Sequence, residues 1–456
     1  MKQERSAEEF QRMPVWKAVL KNALPAMVAM LMVLIYNLAD TFFIGQTHDA
    51  YQVAAVSLAT PVFLLFMAVG TLFGIGGTSV ISRAMGEGRK EYAKRVCSFC
   101  MWACVFVGVV LSVLFLIFME QLLGLIGASA DTWTLTRTYL TIVALCGPFA
   151  LISNCYSNIL RAEGQVTQAM VGQVLGNLLN VVLDPLMILG FGWEIAGAAI
   201  ATVIGNVAAA VYYILFFLRG KSSLSIRWRD CALGDGICAG VLSIGIPASL
   251  ASILMSVSQM VMNSLMADYG DMAVAGIGVA MKVSMITGLI CMGIGQGVQP
   301  LLGFCVGAKT WERYQKLLRF SLLFAFGLGL CMTGLCTLFT VQIAGGFLTD
   351  SEALDYAVQF ARILLTTGPL FGLFYVLSNA LQAMGAAVSS LVVNLSRQGL
   401  IYIPALFLLR TLMGVTGLVW AQPAADLLSL ILAWILYRIS VHRAMGQQEK
   451  LTSESA

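Results

Sequence analysis

Charge is what this chain has least of. Of its 456 residues, 27 are Lys or Arg and 23 are Asp or Glu, so 11% are charged; an ordinary soluble domain carries about 25%. Hydrophobic residues make up 59%, and mean hydropathy is +0.86. That balance excludes a soluble globular protein. It also excludes a nucleic-acid binder, because the net charge of +4 comes from bases grouped in connecting loops. Histidine is scarcer still: His48 and His442 are the only two. With no clustered nucleophile beside them, an enzyme is not expected. Short segments of alternating polarity, the mark of a membrane β-barrel, are missing. A cleavable leader is not expected either. The first apolar run starts near Val15 and is too long for one, so the first span itself is expected to direct insertion.

What is present is long apolar runs. Twelve reach the roughly 20 residues that a helix needs to cross a bilayer. They lie at about 17–45, 53–81, 96–119, 138–160, 167–190, 195–218, 237–266, 274–303, 317–342, 356–383, 388–410 and 415–438. The expected fold is an all-α polytopic membrane protein with twelve transmembrane helices in two pseudo-symmetric six-helix lobes. Tails at 1–16 and 439–456 flank an N-lobe at 17–218, a linker at 219–236 and a C-lobe at 237–438. Bases crowd the even-numbered loops, as in Arg83, Arg89, Lys90, Lys94 and Arg95, or Arg219, Lys221, Arg227 and Arg229. Odd-numbered loops carry Asp49, Asp131, Glu194, Asp268, Asp271, Asp350 and Glu352 instead. By the positive-inside rule both termini are cytoplasmic. The eleven cysteines lie mostly inside apolar runs. Cys97, Cys100 and Cys104 span two helical turns with no second CxxC, which reads as small packing residues rather than metal ligands.

The chain repeats internally. Slid by 221 positions, Gly74 meets Gly295, Gly86 meets Gly307, Pro148 meets Pro369, and Ser157-Asn158 meets Ser378-Asn379. A slide of 220 sets Gly197 and Ala201 on Gly417 and Ala421. Each repeat holds six spans, an even number, so both halves insert with one orientation. They are expected to face each other across an axis along the membrane normal.

Polar residues at membrane depth are expensive and mark function. In Gly176–Thr202, Asn177, Asn180 and Asp184 fall on one helical face. Pro185 follows Asp184 and supplies no N–H, so the Val181 carbonyl lacks its usual partner. Counted from the outer ends of their spans, Asp40, Asp184 and Thr202 lie at matching depths. Asn154 is placed to reach the same cavity. Two carboxylates there cannot both stay ionised without a cation beside them. Such a pair takes up a proton or Na⁺, and release of a cationic substrate as the ion enters is antiport. The repeat fails at these positions, since Asp184 aligns with Ala405 and Asn180 with Ile401. Acids at membrane depth are expected in the first lobe alone.

The second lobe carries Lys282 and Arg397 in its spans, either as gating residues or as snorkelling bases. Spans seven and eight hold Met255, Met260, Met262, Met266, Met281, Met285 and Met292, with Gln259 and Asn263 four residues apart. Flexible thioethers suit either a core or a surface that accepts several apolar shapes.

ADTFFIG in the first span, LRAEG at 160–164, NLLNVVLDPLMI followed by GAAIAT, and the paired glycine and basic loops after spans two and eight together resemble the multidrug and toxic compound extrusion (MATE) family, closest to its MepA-like bacterial branch. The resemblance covers nearly the whole chain. It implies a cytoplasmic-membrane antiporter exporting organic cations or drugs, with H⁺ or Na⁺ as coupling ion and no other cofactor; a functional monomer is expected because the two-lobed fold is complete in one chain. The family's first-lobe cation site maps to Asp40, Asn180, Asp184 and Thr202, with Asn154 or Asn158 as an addition, and Glu163 would line the inward mouth. Members of the NorM type place an acid where Met255 stands here, which leaves coupling to the first lobe. A lipid-linked precursor flippase of the same superfamily is the alternative, with Lys282 and Arg397 as clamps for a pyrophosphate. A major-facilitator transporter is disfavoured by RAMGEGRK after span two. Asp235-Gly236 starts a CDP-alcohol phosphotransferase motif that no Arg at 240 continues.

Overall fold

The computed structural model describes residues 13–45, 50–126, 128–232, 234–348 and 350–454. His48, Asp49 and most of the N-terminal tail lie outside them. Every regular element among the described residues is helical. In hydrocarbon each backbone N–H and C=O must be satisfied within its own segment, and a helix does that. Ten helices are long and apolar enough to cross a membrane, and two bent pairs bring the number to twelve.

In the first half these are α1 (Val15–Gly45), α2 (Ala50–Gly86), α3 (Lys90–Ile117), the short α4 (Met119–Leu125), α5 (Ala130–Leu145), α6 (Gly147–Ala162), α7 (Val166–Pro185) and α8 (Glu194–Leu218). In the second half they are α9 (Ile237–Ala267), α10 (Asp271–Gly307), α11 (Trp311–Leu338), α12 (Thr340–Gly345), α13 (Ser351–Leu365), α14 (Gly368–Ala383), α15 (Ala387–Leu395), α16 (Tyr402–Met413) and α17 (Val415–Glu454).

The repeat is visible in the elements. Helices α2 and α10 have 37 residues each, α3 and α11 have 28, and α6 and α14 have 16. Spans four and ten, expected as single helices, are bent pairs. Helices α5 and α6 meet at 57°, and α13 and α14 at 47°. Each break precedes a Gly-Pro, where proline costs no hydrogen bond because first-turn N–H groups are unpaired anyway. The glycine lets the backbone pass close by. A Cβ on Gly147 would sit 2.3 Å from Ser112 Oγ, and one on Gly368 would sit 2.1 Å from Thr333 Oγ1. Ser112 and Thr333 are themselves 221 positions apart.

The described chain divides into two compact units. One is Val28–Gly245; the other joins the start of α1, through Met27, to Ile246 onward. The expected boundary at the 219–236 linker is therefore shifted into helices. The first turns of α9 pack in the first unit, with Ile237 and Val241 in one core with Val80, Cys97, Leu151, Tyr156 and Ile159. The first turns of α1 pack in the second unit, with Ala18, Val19 and Ala23 among Ile294, Val298 and Leu377. Glycines permit both. Gly76 and Gly245 let α2 and α9 touch backbone to backbone, and Gly293 and Gly297 do so for α10 and α1.

Symmetry breaks where polar residues enter. After Asp184-Pro185 the helix widens into π turns over Leu186–Gly190. In span eleven the π turns fall at Ser396–Leu400, around Arg397, and lie between α15 and α16. Such insertions are rare in helices and concentrate at functional positions.

Candidate cation site in the first lobe

Helices α7 and α8 meet through glycine. A Cβ built on Gly205 would lie 2.6 Å from the Gly176 carbonyl oxygen, and one on Gly197 would lie 2.8 Å from the Met187 backbone. That approach sets the polar face of α7 directly against Thr202 of α8. The Asn180 amide, oriented to satisfy its neighbours, donates to Asp184 Oδ2 at 3.0 Å. Its oxygen accepts from Thr202 N at 3.0 Å and from Thr202 Oγ1 at 3.2 Å. Asp184, Asn180 and Thr202 are all buried.

Two further helices complete the cluster. Asp40 of α1 lies within electrostatic reach of Asp184. Tyr36 of α1 and Tyr139 of α5 stand within electrostatic reach of both carboxylates and lie beside Thr202. One oxygen of each carboxylate, Oδ1 of Asp40 and of Asp184, is buried with no hydrogen-bond partner, and so is Nδ2 of Asn177 nearby on α7. An oxygen-rich group holding two acids and unfilled acceptors is chemistry for a proton or a hard monovalent cation. Net negative charge in a dry setting also demands one.

The structure thus brings Asp40, Asn180, Asp184 and Thr202 together. It adds Tyr36 and Tyr139, which sequence reasoning missed. Tyr36 stood one turn before Asp40, on the same face. For Tyr139 the signal was only that a buried phenol needs a partner. Asn154 and Asn158 bond elsewhere. Asn154 accepts from Thr71 Oγ1 at 3.4 Å and donates to Met67 O at 3.4 Å, both on α2. Asn158 donates to Asn154 O at 2.9 Å and accepts from Arg161 Nη1 at 3.2 Å.

Glu163 does not line a mouth. It is buried under the linker that follows α8. Ser222 Oγ donates to its Oε2 at 2.6 Å, Ser223 Oγ donates to its Oε1 at 2.7 Å, and the Ser223 N–H adds a third bond. Burial lifts this carboxyl above the usual carboxylate range, and those donors pull it part of the way back. Farther along, Ser98 Oγ donates to Arg227 O at 2.6 Å, Trp102 Nε1 donates to Ile226 O at 3.2 Å, and Arg95 pairs with Asp235 at 2.9 Å. The linker is strapped to α3 and α6. Glu163→Ala removes all three donors' target, each such bond contributing about 1.5–3 kcal/mol. Amide exchange at 222–226 in the full-length protein should quicken by roughly tenfold or more, with helix cores unchanged. Unchanged exchange there would show that the other straps hold the linker without Glu163.

In the second lobe, Gln259 Nε2 donates to Met281 Sδ at 2.9 Å. Met255, Met260 and Asn263 are exposed, Met285 is half-buried, and Met262 and Met266 are core. The methionines therefore divide between surface and interior. Half-buried Lys282 sits over the Phe347 ring, 5.2 Å from its centre. Arg397 is buried and pairs with Asp426 of α17, Nε to Oδ1, at 2.7 Å. The expectation that acids at membrane depth occur in the first lobe alone is corrected by Asp426, which is 3% exposed and well inside its span. Its partner Arg397 is on another helix, so its own segment does not show how its charge is met.

The MatE family model matches this chain twice, at residues 25–186 and 247–408. The chain belongs to the MatE family. The two matches begin at 25 and 247, an offset of 222 that agrees with the repeat. Staphylococcus aureus (strain MSSA476) has a relative named multidrug export protein MepA, 31% identical over 429 residues, 94% of each chain. The MepA of Staphylococcus haemolyticus (strain JCSC1435) is 31% identical over 449 residues, 95% of this chain and 97% of its own. In fold, the chain is similar to a solved multidrug resistance MATE family transporter of the MOP superfamily in an outward-facing conformation. The TM-score is 0.92 at 24% identity, covering 96% of this chain and 98% of that one. This MatE protein is a multi-pass membrane protein with the fold of a MATE transporter.

Proposed function

We propose that the protein is a secondary active antiporter that exports organic cations and drugs from the cell, driven by inward flow of H⁺ or Na⁺ through the first lobe. The observation that carries this reading is the Asp40–Asp184 cluster, with a buried unpartnered oxygen on each carboxylate. A cation or proton entering there changes the charge of a dry site, and only a state that accommodates that charge is stabilised. The names of the MepA relatives support drugs as substrates. Residues Met255, Gln259, Asn263, Lys282 and Met285 of the second lobe are the substrate-facing candidates, because flexible thioethers and amides tolerate varied cationic shapes. The protein works as a monomer in the cell membrane with both termini cytoplasmic, and H⁺ or Na⁺ is the only cofactor it needs.

A lipid-pyrophosphate flippase is not favoured. Of the two bases that would clamp the anion, Arg397 is already committed to Asp426. The deciding test is ethidium efflux from proteoliposomes under an imposed pH gradient or an imposed Na⁺ gradient. Efflux driven by one gradient supports antiport and names the ion. No response to either would overturn the antiport reading.

A further inference from the structure

The second lobe holds a buried cation of its own. Arg397, in the π turns of span eleven, reaches across to α17, where Asp426 Oδ1 accepts from its Nε at 2.7 Å. Its Nη1 donates to Tyr375 OH at 3.3 Å. The guanidinium also lies over three rings of α14, 5.2 Å from Phe371, 4.7 Å from Phe374 and 5.3 Å from Tyr375. Two further donors meet the carboxylate: Gln422 Nε2 donates to Oδ1 at 3.0 Å and Thr367 Oγ1 donates to Oδ2 at 3.1 Å. Aromatic faces with one carboxylate form a site that recognises an organic cation, and the planar fork of a guanidinium suits it better than a point charge does.

The internal repeat relates one edge of this cage to the first-lobe site by sequence. A slide of 220 sets Gln422, a donor to Asp426, on Thr202 of the first-lobe cluster. The first repeat has acids with unfilled oxygens beside Thr202. The other has an acid filled from within the chain.

We propose that Phe371, Phe374, Tyr375 and Asp426 form a guanidinium-selective cation site in the second lobe, whose resident ligand is the Arg397 side chain. Arg397 thereby neutralises the one carboxylate lying well inside a described span of this lobe. It also ties α14, the span-eleven π turns and α17 into one block. Removing the side chain vacates the site and leaves Asp426 able to take a small planar cation from solution.

The test uses the full-length protein in nanodiscs. Arg397→Ala should lower the melting temperature by several degrees. Methylguanidinium should restore most of the loss with a saturable, millimolar dependence, while urea and NaCl at equal concentration should not. Wild type should show no such response, because its site is filled. Arg397→Ala with Asp426→Ala should also show none, because its anion is gone. A non-saturable response, or an equal one in the double variant, would overturn the proposal. Should Arg397→Ala alone fail to fold, methylguanidinium is supplied during expression and purification. Recovery of monodisperse protein supports the site. No recovery, while the double variant folds, overturns it.

Discussion

Asp184→Asn and Asp40→Asn should each abolish gradient-driven efflux while leaving the protein folded. Asparagine keeps the shape of aspartate and a hydrogen-bonding oxygen, so Asn180 keeps a partner at position 184. What goes is the charge that changes when the ion arrives. Coupling between two ligands is worth about 1–3 kcal/mol, or roughly 5- to 150-fold in affinity. Without that difference the ion no longer biases one state over the other, and the gradient does no work on the substrate. Drug binding without a gradient should survive, since none of the proposed substrate-facing residues is touched. The measurement is ethidium efflux beside ethidium affinity, with the melting temperature as the check on folding. Efflux that persists in both variants would remove the carboxylates from coupling. Loss of affinity together with efflux would place the substrate, rather than the ion, on these acids.

Much of this cluster was legible because membrane depth simplifies the reading. In a run of Leu, Val and Ile, an Asp or Asn stands out, and the helical period says which of them share a face. Asn180 and Asp184 were found that way, Asp40 and Thr202 were set beside them by counting depth from the span ends, and the repeat was found by sliding the chain along itself. Residues whose role depends on a partner far away in sequence were harder. Arg397 and Asp426 lie on different helices, and neither position alone shows that they meet. Tyr139 reads as an aromatic in an apolar span until α5 is set beside Thr202. Glu163 was misread because the linker folds back over the end of α6, and no local pattern announces that return. The bends at Gly147-Pro148 and Gly368-Pro369 were visible as dipeptides. Helix direction on either side of them is set by what packs there, namely Ser112 and Thr333.

Close helix contact rather than charge holds the first-lobe site in register, and two glycine substitutions separate those causes. A Cβ on Gly205 meets the Gly176 carbonyl oxygen at 2.6 Å, and that atom is backbone, which cannot swing aside. Gly205→Ala must push α7 away from α8 or bend one of them. Overpacking of this kind costs about 1–3 kcal/mol, and the Asn180–Thr202 bonds lie one turn from the clash. Gly278 of α10 is also helical, and a Cβ there meets nothing within 4 Å. Gly278→Ala should be neutral or gain up to about 1 kcal/mol from helix propensity. The same chemical change should therefore lower the melting temperature at one site and hold or raise it at the other, and only Gly205→Ala should also reduce ion-driven efflux. If the two variants melt alike, α7 and α8 are not held at the limit of backbone contact, and the geometry around Asp184 must come from the tyrosines and Asp40 instead.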